Sequence, residues 1–248
     1  MDLTPKNWYT LSKLLNNFYN KLLDFLFPSY CEICNQRLQN EKYICQKCLK
    51  KVKYINSNTC SLCGKEFNLP VSSLCKDCKN NKRYFKEARA IGRYEGVLKD
   101  YIHLLKYCNK PYLKVLFPDI VKDYAKWIKN YQFDYIMPIP LHPKKLRKRG
   151  YNQAELFAKY LSKAYKIEYY KDNLTRKKET LPQINLDKKE RLRNVKSSFI
   201  VKYKEKVKDK SILLIDDVYT TGATVNECSK ELKESGVKKI IVLTLARS

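Results

Sequence analysis

The apolar positions of this chain fall into distinct regimes. Near the N-terminus Leu11, Leu14, Leu15, Phe18, Leu22 and Phe25 recur every three or four residues, which predicts an amphipathic helix ended by Pro28. Helical spacing returns over residues 94–107, where Val97, Leu98, Tyr101, Ile102 and Leu105 share a side, and again over residues 113–129. From residue 134 the pattern alternates. Short apolar runs at residues 135–140, 169–170, 199–201, 212–215 and 240–243 predict strands. Helices are expected over residues 152–165 and 224–235, the second stopped by Gly236. The run Ile212-Leu213-Leu214-Ile215 has no polar face, as a strand buried on both sides requires. Strands separated by helices predict an α/β fold on a parallel sheet. Residues 80–86 read as a polar linker and residues 175–196 as a charged, mobile loop. The expected organisation is therefore a helix over residues 1–30, a cysteine-rich module over 31–80 and an α/β domain over 88–248.

Composition narrows the chemistry. The 248 residues suit one or two domains, and 44% hydrophobic residues suffice for a core. Lys and Arg total 51 against 25 acids, a formal charge of +26 that attracts nucleic acid, anionic lipid or phosphate-rich ligands. Only six glycines occur, with no G-x-G-x-x-G fingerprint and no phosphate-binding P-loop. The two histidines, His103 and His142, form no H-E-x-x-H, and neither G-x-S-x-G nor a calcium loop is present. No stretch approaches the roughly 18 apolar residues of a membrane span, and no signal-peptide pattern opens the chain. A cytosolic protein with reduced thiols is the expectation. The first helix would pack on its own protein or, because Trp8, Lys13 and Lys21 flank its apolar stripe, give a peripheral membrane contact through residues 8–27.

Eight of the ten cysteines form four C-x-x-C knuckles: Cys31/Cys34, Cys45/Cys48, Cys60/Cys63 and Cys75/Cys78. A knuckle turns two thiolates to one side of a tight bend, and two knuckles supply the tetrahedron that Zn²⁺ takes. Such a closed four-thiolate site is structural, and in so short a module the metal replaces a core. An iron–sulfur cluster or a disulfide framework would use the same residues. Spacing does not decide between sequential and crosswise pairing; sequential pairing, giving two zinc ribbons, is preferred. Cys108 and Cys228 read as small buried hydrophobes.

The most informative segment is Ile212-Leu213-Leu214-Ile215-Asp216-Asp217-Val218-Tyr219-Thr220-Thr221-Gly222-Ala223-Thr224. An apolar strand ends in two acids, then a hydroxyl-rich loop with one glycine opens a helix. Ligands of parallel sheets bind beyond the strand C-termini, and a helix N-terminus offers free N–H groups to a phosphate. Thr220, Thr221 and Thr224 add hydroxyl donors, and Gly222 allows close backbone approach. The acids do not bind phosphate; they accept from sugar hydroxyls or steady a Mg²⁺ complex. The segment reads as a sugar-phosphate site.

The ten residues from Ile215 to Thr224 look like the phosphoribosyl pyrophosphate (PRPP) motif of type I phosphoribosyltransferases. The knuckles, Pro138-Ile139-Pro140-Leu141-His142-Pro143, Arg149-Gly150-Tyr151-Asn152-Gln153-Ala154, Gln183 with Arg191, Asn194 and Val195, and the closing Leu245-Ala246-Arg247 narrow the match. Together they resemble the ComF family of competence-associated proteins from about residue 22 onward, with Tyr219 standing where leucine or serine is more usual. The resemblance implies an N-terminal double zinc ribbon with two structural Zn²⁺, joined to a type I phosphoribosyltransferase-like parallel sheet. It places the 5′-phosphate on Thr220, Thr221, Gly222, Ala223 and Thr224, the ribose hydroxyls on Asp216 and Asp217, and the pyrophosphate at residues 141–143. Lys106, His142, Arg147 and Arg149 are its candidates beside the pyrophosphate, and residues 176–193 would close over the site. It further implies Mg²⁺, single-stranded DNA, a competence helicase or other DNA-uptake proteins as partners. Two functions fit: a Mg²⁺-dependent transferase releasing pyrophosphate, and a non-catalytic PRPP-sensing, DNA-binding module of natural transformation.

Overall fold

The structure is a computed structural model that describes residue 26 and residues 28–39, 41–55, 58–67, 74–177 and 195–248. The expected N-terminal helix with its membrane contact over residues 8–27, and most of the charged loop, lie outside the described residues. The chain divides into two compact units, residues 1–51 and 52–248. The second knuckle pair thus shares a unit with the sheet.

Each unit opens with the same local construction. In the first, the N–H of Cys31 donates to the Gln36 carbonyl at 2.8 Å, Asn35 takes φ 56°, and Cys45 caps the short helix α1 (Gln46–Leu49). In the second, the N–H of Cys60 donates to Lys65 at 2.7 Å, Gly64 takes φ 68°, and Cys75 caps α2 (Lys76–Asn80). Gly64 has a further reason to lack a side chain. A Cβ there would lie 2.7 Å from the Ala88 carbonyl oxygen, against the first strand of the sheet.

The rest of the second unit runs β1 (Glu87–Arg93), α3 (Gly96–Tyr107), a 3₁₀ turn (Pro111–Leu116), α4 (Phe117–Val121), a second 3₁₀ turn (Lys122–Tyr124) and α5 (Ala125–Lys129). Then follow β2 (Tyr135–Pro138), α6 (Pro143–Arg149), α7 (Gln153–Tyr165), β3 (Glu168–Tyr169), β4 (Leu174–Arg176) and β5 (Phe199–Val201). The chain ends with α8 (Lys204–Val207), β6 (Ser211–Tyr219), α9 (Ala223–Glu234) and β7 (Lys239–Arg247). The main sheet has the order β1-β7-β6-β2-β3 and every pairing in it is parallel. Its centre is the fully apolar strand: Ile212 to Ile215 are buried on β6, and Ile240 to Leu243 beside them on β7.

Three expectations change. Residues 87–93 had no assigned element, yet they form the edge strand β1. Its charges break the apolar pattern, and they are matched locally: Arg89 pairs with Glu87 at 2.9 Å, and the Tyr131 hydroxyl donates to Glu87. Phe199–Val201 is a strand outside the main sheet, pairing antiparallel with β4 in a two-stranded ribbon. The helix expected over residues 113–129 is broken into short α and 3₁₀ turns, with Pro118 near the start of α4, where its missing N–H and ring interrupt any longer helix.

Candidate functional site

All strands of the main sheet end at one edge, and there the apolar cover of β6 gives way to Asp216 and Asp217. The two acids differ in surroundings, since neighbouring strand residues face opposite sides. Asp217 accepts from the Lys106 ammonium at 2.7 Å; the side chains are 16% and 15% exposed. Lys106 arrives on the last turn of α3, whose apolar side (Val97, Leu98, Tyr101, Ile102, Leu105) is buried and fixes the helix's rotation. Burial works against the ammonium, but the attraction and hydrogen bond of Asp217 outweigh it and raise the Lys106 pKa. Asp216 accepts from the N–H of Asp217 at 2.9 Å and lies within electrostatic reach of Arg176 and Cys228. Burial, then the Asp217 charge, pushes its carboxyl up to about 7.

The loop beyond the acids is tight. Gly222 takes φ 73° and caps α9, whose first helical bond runs from the Asn226 N–H to the Gly222 carbonyl at 2.8 Å. The Ala223 N–H donates to Thr221 Oγ1 at 3.3 Å. A Cβ on Gly222 would sit 2.2 Å from the Tyr219 hydroxyl, so the tyrosine lies directly beneath the loop and only glycine fits above it. Thr220, Thr221 and Thr224 remain partly accessible around this helix N-terminus.

The basic helix α6 follows β2 at the same sheet edge, because Ile139, just past β2, donates to Ile215 at 2.8 Å. His142 caps α6, its Nδ1 accepting from the Lys144 N–H at 3.3 Å. The α6–α7 junction is fastened to the end of α3: the Tyr151 hydroxyl and the Gln153 amide both donate to the Leu105 carbonyl, at 2.6 and 2.8 Å. Arg149 donates to Gln153 at 2.7 Å and sits over the Tyr107 ring. Lys106 and Arg149 are therefore gathered at one corner. Arg147 is exposed on α6, a helix with no buried residue. Tyr151 and Gln153 as fasteners, and Arg176 beside Asp216, had no assigned role; the first two stood in a recognisable motif, whereas Arg176 lay in what read as a loop.

The eight knuckle thiols form two groups, Cys31/Cys34/Cys45/Cys48 and Cys60/Cys63/Cys75/Cys78, so the knuckles pair in sequence order. All ten cysteines are free thiols; Cys228 is buried as expected, whereas Cys108, just past the end of α3, is exposed. Sulfur–sulfur distances of 3.9, 3.7 and 3.6 Å match the edge of about 3.8 Å that a tetrahedron with Zn–S arms near 2.3 Å requires. At Cys31 burial opposes ionisation, but N–H groups of Cys34, Cys45 and Ile33 overturn it and lower the thiol to about 7. Cys60 is lowered to about 7 in the same way, against burial, by Cys63, Cys75 and Leu62. Cys48 and Cys78 are pushed up, by burial first and by neighbouring thiols second. A divalent cation reverses that second effect and draws all four to thiolate. The donor set fits structural zinc.

A double zinc ribbon domain matches residues 22–79, and a phosphoribosyl transferase domain matches residues 148–248. Fold and site thus define a phosphoribosyltransferase-like α/β protein carrying an N-terminal double zinc ribbon. Competence protein F of Haemophilus influenzae is 30% identical over 90% of this chain and 98% of its own length. Competence protein ComFC of Streptococcus pneumoniae is 32% identical over 84% and 89%. DNA utilization protein YhgH of Escherichia coli K12 is 25% identical over 88% and 90%. The chain belongs to the ComF family.

Proposed function

We propose that the corner where β6 passes into α9 binds PRPP, and that the protein acts in DNA uptake as its relatives' names suggest. The carrying observation is the combination at one sheet edge of the Asp216–Asp217 pair, Lys106 locked onto Asp217, and the Gly222 turn opening α9. The free N–H groups of that turn and the hydroxyls of Thr220, Thr221 and Thr224 receive the 5′-phosphate. Asp216 and Asp217 accept from the ribose hydroxyls and fix the ring's orientation. Lys106 and Arg149 face the pyrophosphate, with His142 and Arg147 on the helix behind. Mg²⁺, arriving with PRPP, would neutralise the pyrophosphate as it leaves C1; the chain's residues supply position and charge, and no covalent nucleophile is needed. A thermal-shift titration with PRPP and Mg²⁺ tests this. Ligand should raise the melting temperature of the wild type and leave Asp217→Asn nearly unmoved, because binding to the folded state alone stabilises it. An unmoved wild type overturns the reading.

A second activity rests on a separate feature. A groove of about 580 Å³ is lined by Lys82, Tyr84, Lys86, Lys238 and Lys239; it runs from the first turn of α9, where Asn226 bonds to the backbone of Lys82 and Tyr84, to the starts of β1 and β7. Lys82 lies over the Tyr84 ring, and Lys86 and Lys239 lie over Tyr131. Cations spaced along a groove beside aromatic faces suit a single strand of nucleic acid.

A further inference from the structure

The second cysteine tetrad and the loop at the head of α9 are joined by side chains from the last two strands. Tyr219 ends β6 and Arg247 ends β7, and the parallel register sets them side by side. The Arg247 guanidinium lies 4.3 Å from the Tyr219 ring centroid. Its Nη1 donates to the Cys63 carbonyl at 2.7 Å, and its Nη2 donates to the Cys63 Sγ at 3.5 Å. Tyr219 is 2% exposed and carries Gly222 on its ring edge. A second strut stands on the other side. Asp77, between the ligands Cys75 and Cys78, pairs with Arg83 at 2.5 Å, and Arg83 is 4% exposed. The next residue, Tyr84, donates its N–H to Asn226 in the first turn of α9 at 3.0 Å.

From these contacts we infer that the second tetrad positions the anion loop, with Arg247 and Tyr219 as positioning residues, so that metal held by Cys60, Cys63, Cys75 and Cys78 and anion held at Gly222 stabilise each other. The physical basis is twofold. Arg247 reaches a ligand sulfur and its carbonyl with one planar fork, as outer partners of metal ligands do, and the same guanidinium lies over the ring of the tyrosine beneath the loop. When the metal leaves, the Cys63 turn is no longer held by a shared ion, its carbonyl and sulfur move away from the guanidinium, and the contact of Arg247 with Tyr219, and hence the floor under Gly222, is freed. By linkage the effect must run both ways. This proposal rests on the PRPP reading for its ligand arm only.

The test uses the full zinc-loaded chain and a zinc-binding dye. The release phase that survives Cys34→Ala reports the second tetrad. Arg247→Lys keeps the charge and loses the fork; it should speed that phase by about tenfold. It should also raise hydrogen exchange of the backbone amides of residues 220–224, measured without ligand, and leave release from the first tetrad unchanged. Tyr219→Leu should do the same, and Tyr219→Phe, which keeps the ring, should behave as wild type. PRPP with Mg²⁺ should slow the surviving phase in wild type and not in Arg247→Lys. Wild-type release and exchange in Arg247→Lys would overturn the proposal. So would PRPP that binds the wild type, by calorimetry, without slowing the phase. Absence of PRPP binding would sink the functional reading instead, and the exchange arm would still decide the coupling.

Discussion

Asp216 keeps its proton to a higher pH than an ordinary aspartate. Burial and the neighbouring Asp217 lift its carboxyl from 3.8 to about 7. Between those values the folded chain binds a proton that the unfolded chain does not. Stability therefore falls as pH rises through that window and levels off above it. Thermal melts should show Asp216→Asn gaining on the wild type as pH rises from 5 toward about 8, with the gain saturating above the folded value. Ligand affinity should run the other way. The ionised acid is the stronger acceptor for ribose hydroxyls, so PRPP should bind more tightly as pH rises through about 7, and titration calorimetry should find this slope absent in the variant. A gain independent of pH would count against the buried-carboxyl account. The acids were legible because they end an apolar run, which is a local signal. Their unequal environments were not, since Lys106 and Arg176 come from elements 111 and 40 positions away.

At the scale of elements, the two knuckle pairs share their hydrogen bonds but not their shielding. Cys34 is exposed, whereas all four thiols of the second tetrad are buried. Attack by a chelator needs access to a sulfur–metal bond, so zinc should leave in two phases, the faster from the first tetrad. Cys34→Ala should delete the fast phase, and a single uniform phase in the wild type would contradict the shielding argument. C-x-x-C spacing announced both sites, and the central strand β6 announced itself by the unbroken apolar run Ile212 to Ile215 ahead of its acids. The strand β1 did not. Glu87 and Arg89 hide its alternation, and it becomes a strand by pairing with β7 and by the Ala88 N–H donating to Leu62 of the second ribbon at 2.7 Å. The ribbon of β4 and β5 was unreadable for a related reason: three-residue strands carry too little periodicity to show which partner they pair with.

For the whole molecule the charge of +26 is a statement about partners, and the structure gives part of it a place. Lys82, Lys86, Lys238 and Lys239 line one groove, and Lys233, on the same groove, is committed to the carbonyls of Val237 and Lys238. Affinity for an oligonucleotide single strand should fall steeply with salt. Changing those four lysines to glutamine should flatten the log–log slope by about 3, at roughly 0.7 per phosphate contact. An unchanged slope would move the strand elsewhere on the surface. Lys86, Lys238 and Lys239 stand where β1 and β7 begin, at the other end of the strands from the acids, so a variant of these three alone should keep its PRPP thermal shift.

Among the described residues no helix is long and apolar enough to cross a membrane. What the residues settled alone was local chemistry: thiol pairs at turn spacing, an apolar run followed by two carboxylates, a glycine turn opening a helix; the strand itself runs on past the acids to Tyr219, held there by its pairing with β7. Each depends on groups within a few positions of one another, where covalent geometry limits the outcomes. The assembled chain decided which distant groups meet. Lys106 reaches Asp217, and Arg247 reaches Cys63 across 184 positions, because strand order and register bring those ends together. Register is set by burial summed over the whole sheet, a quantity that no short window of residues contains.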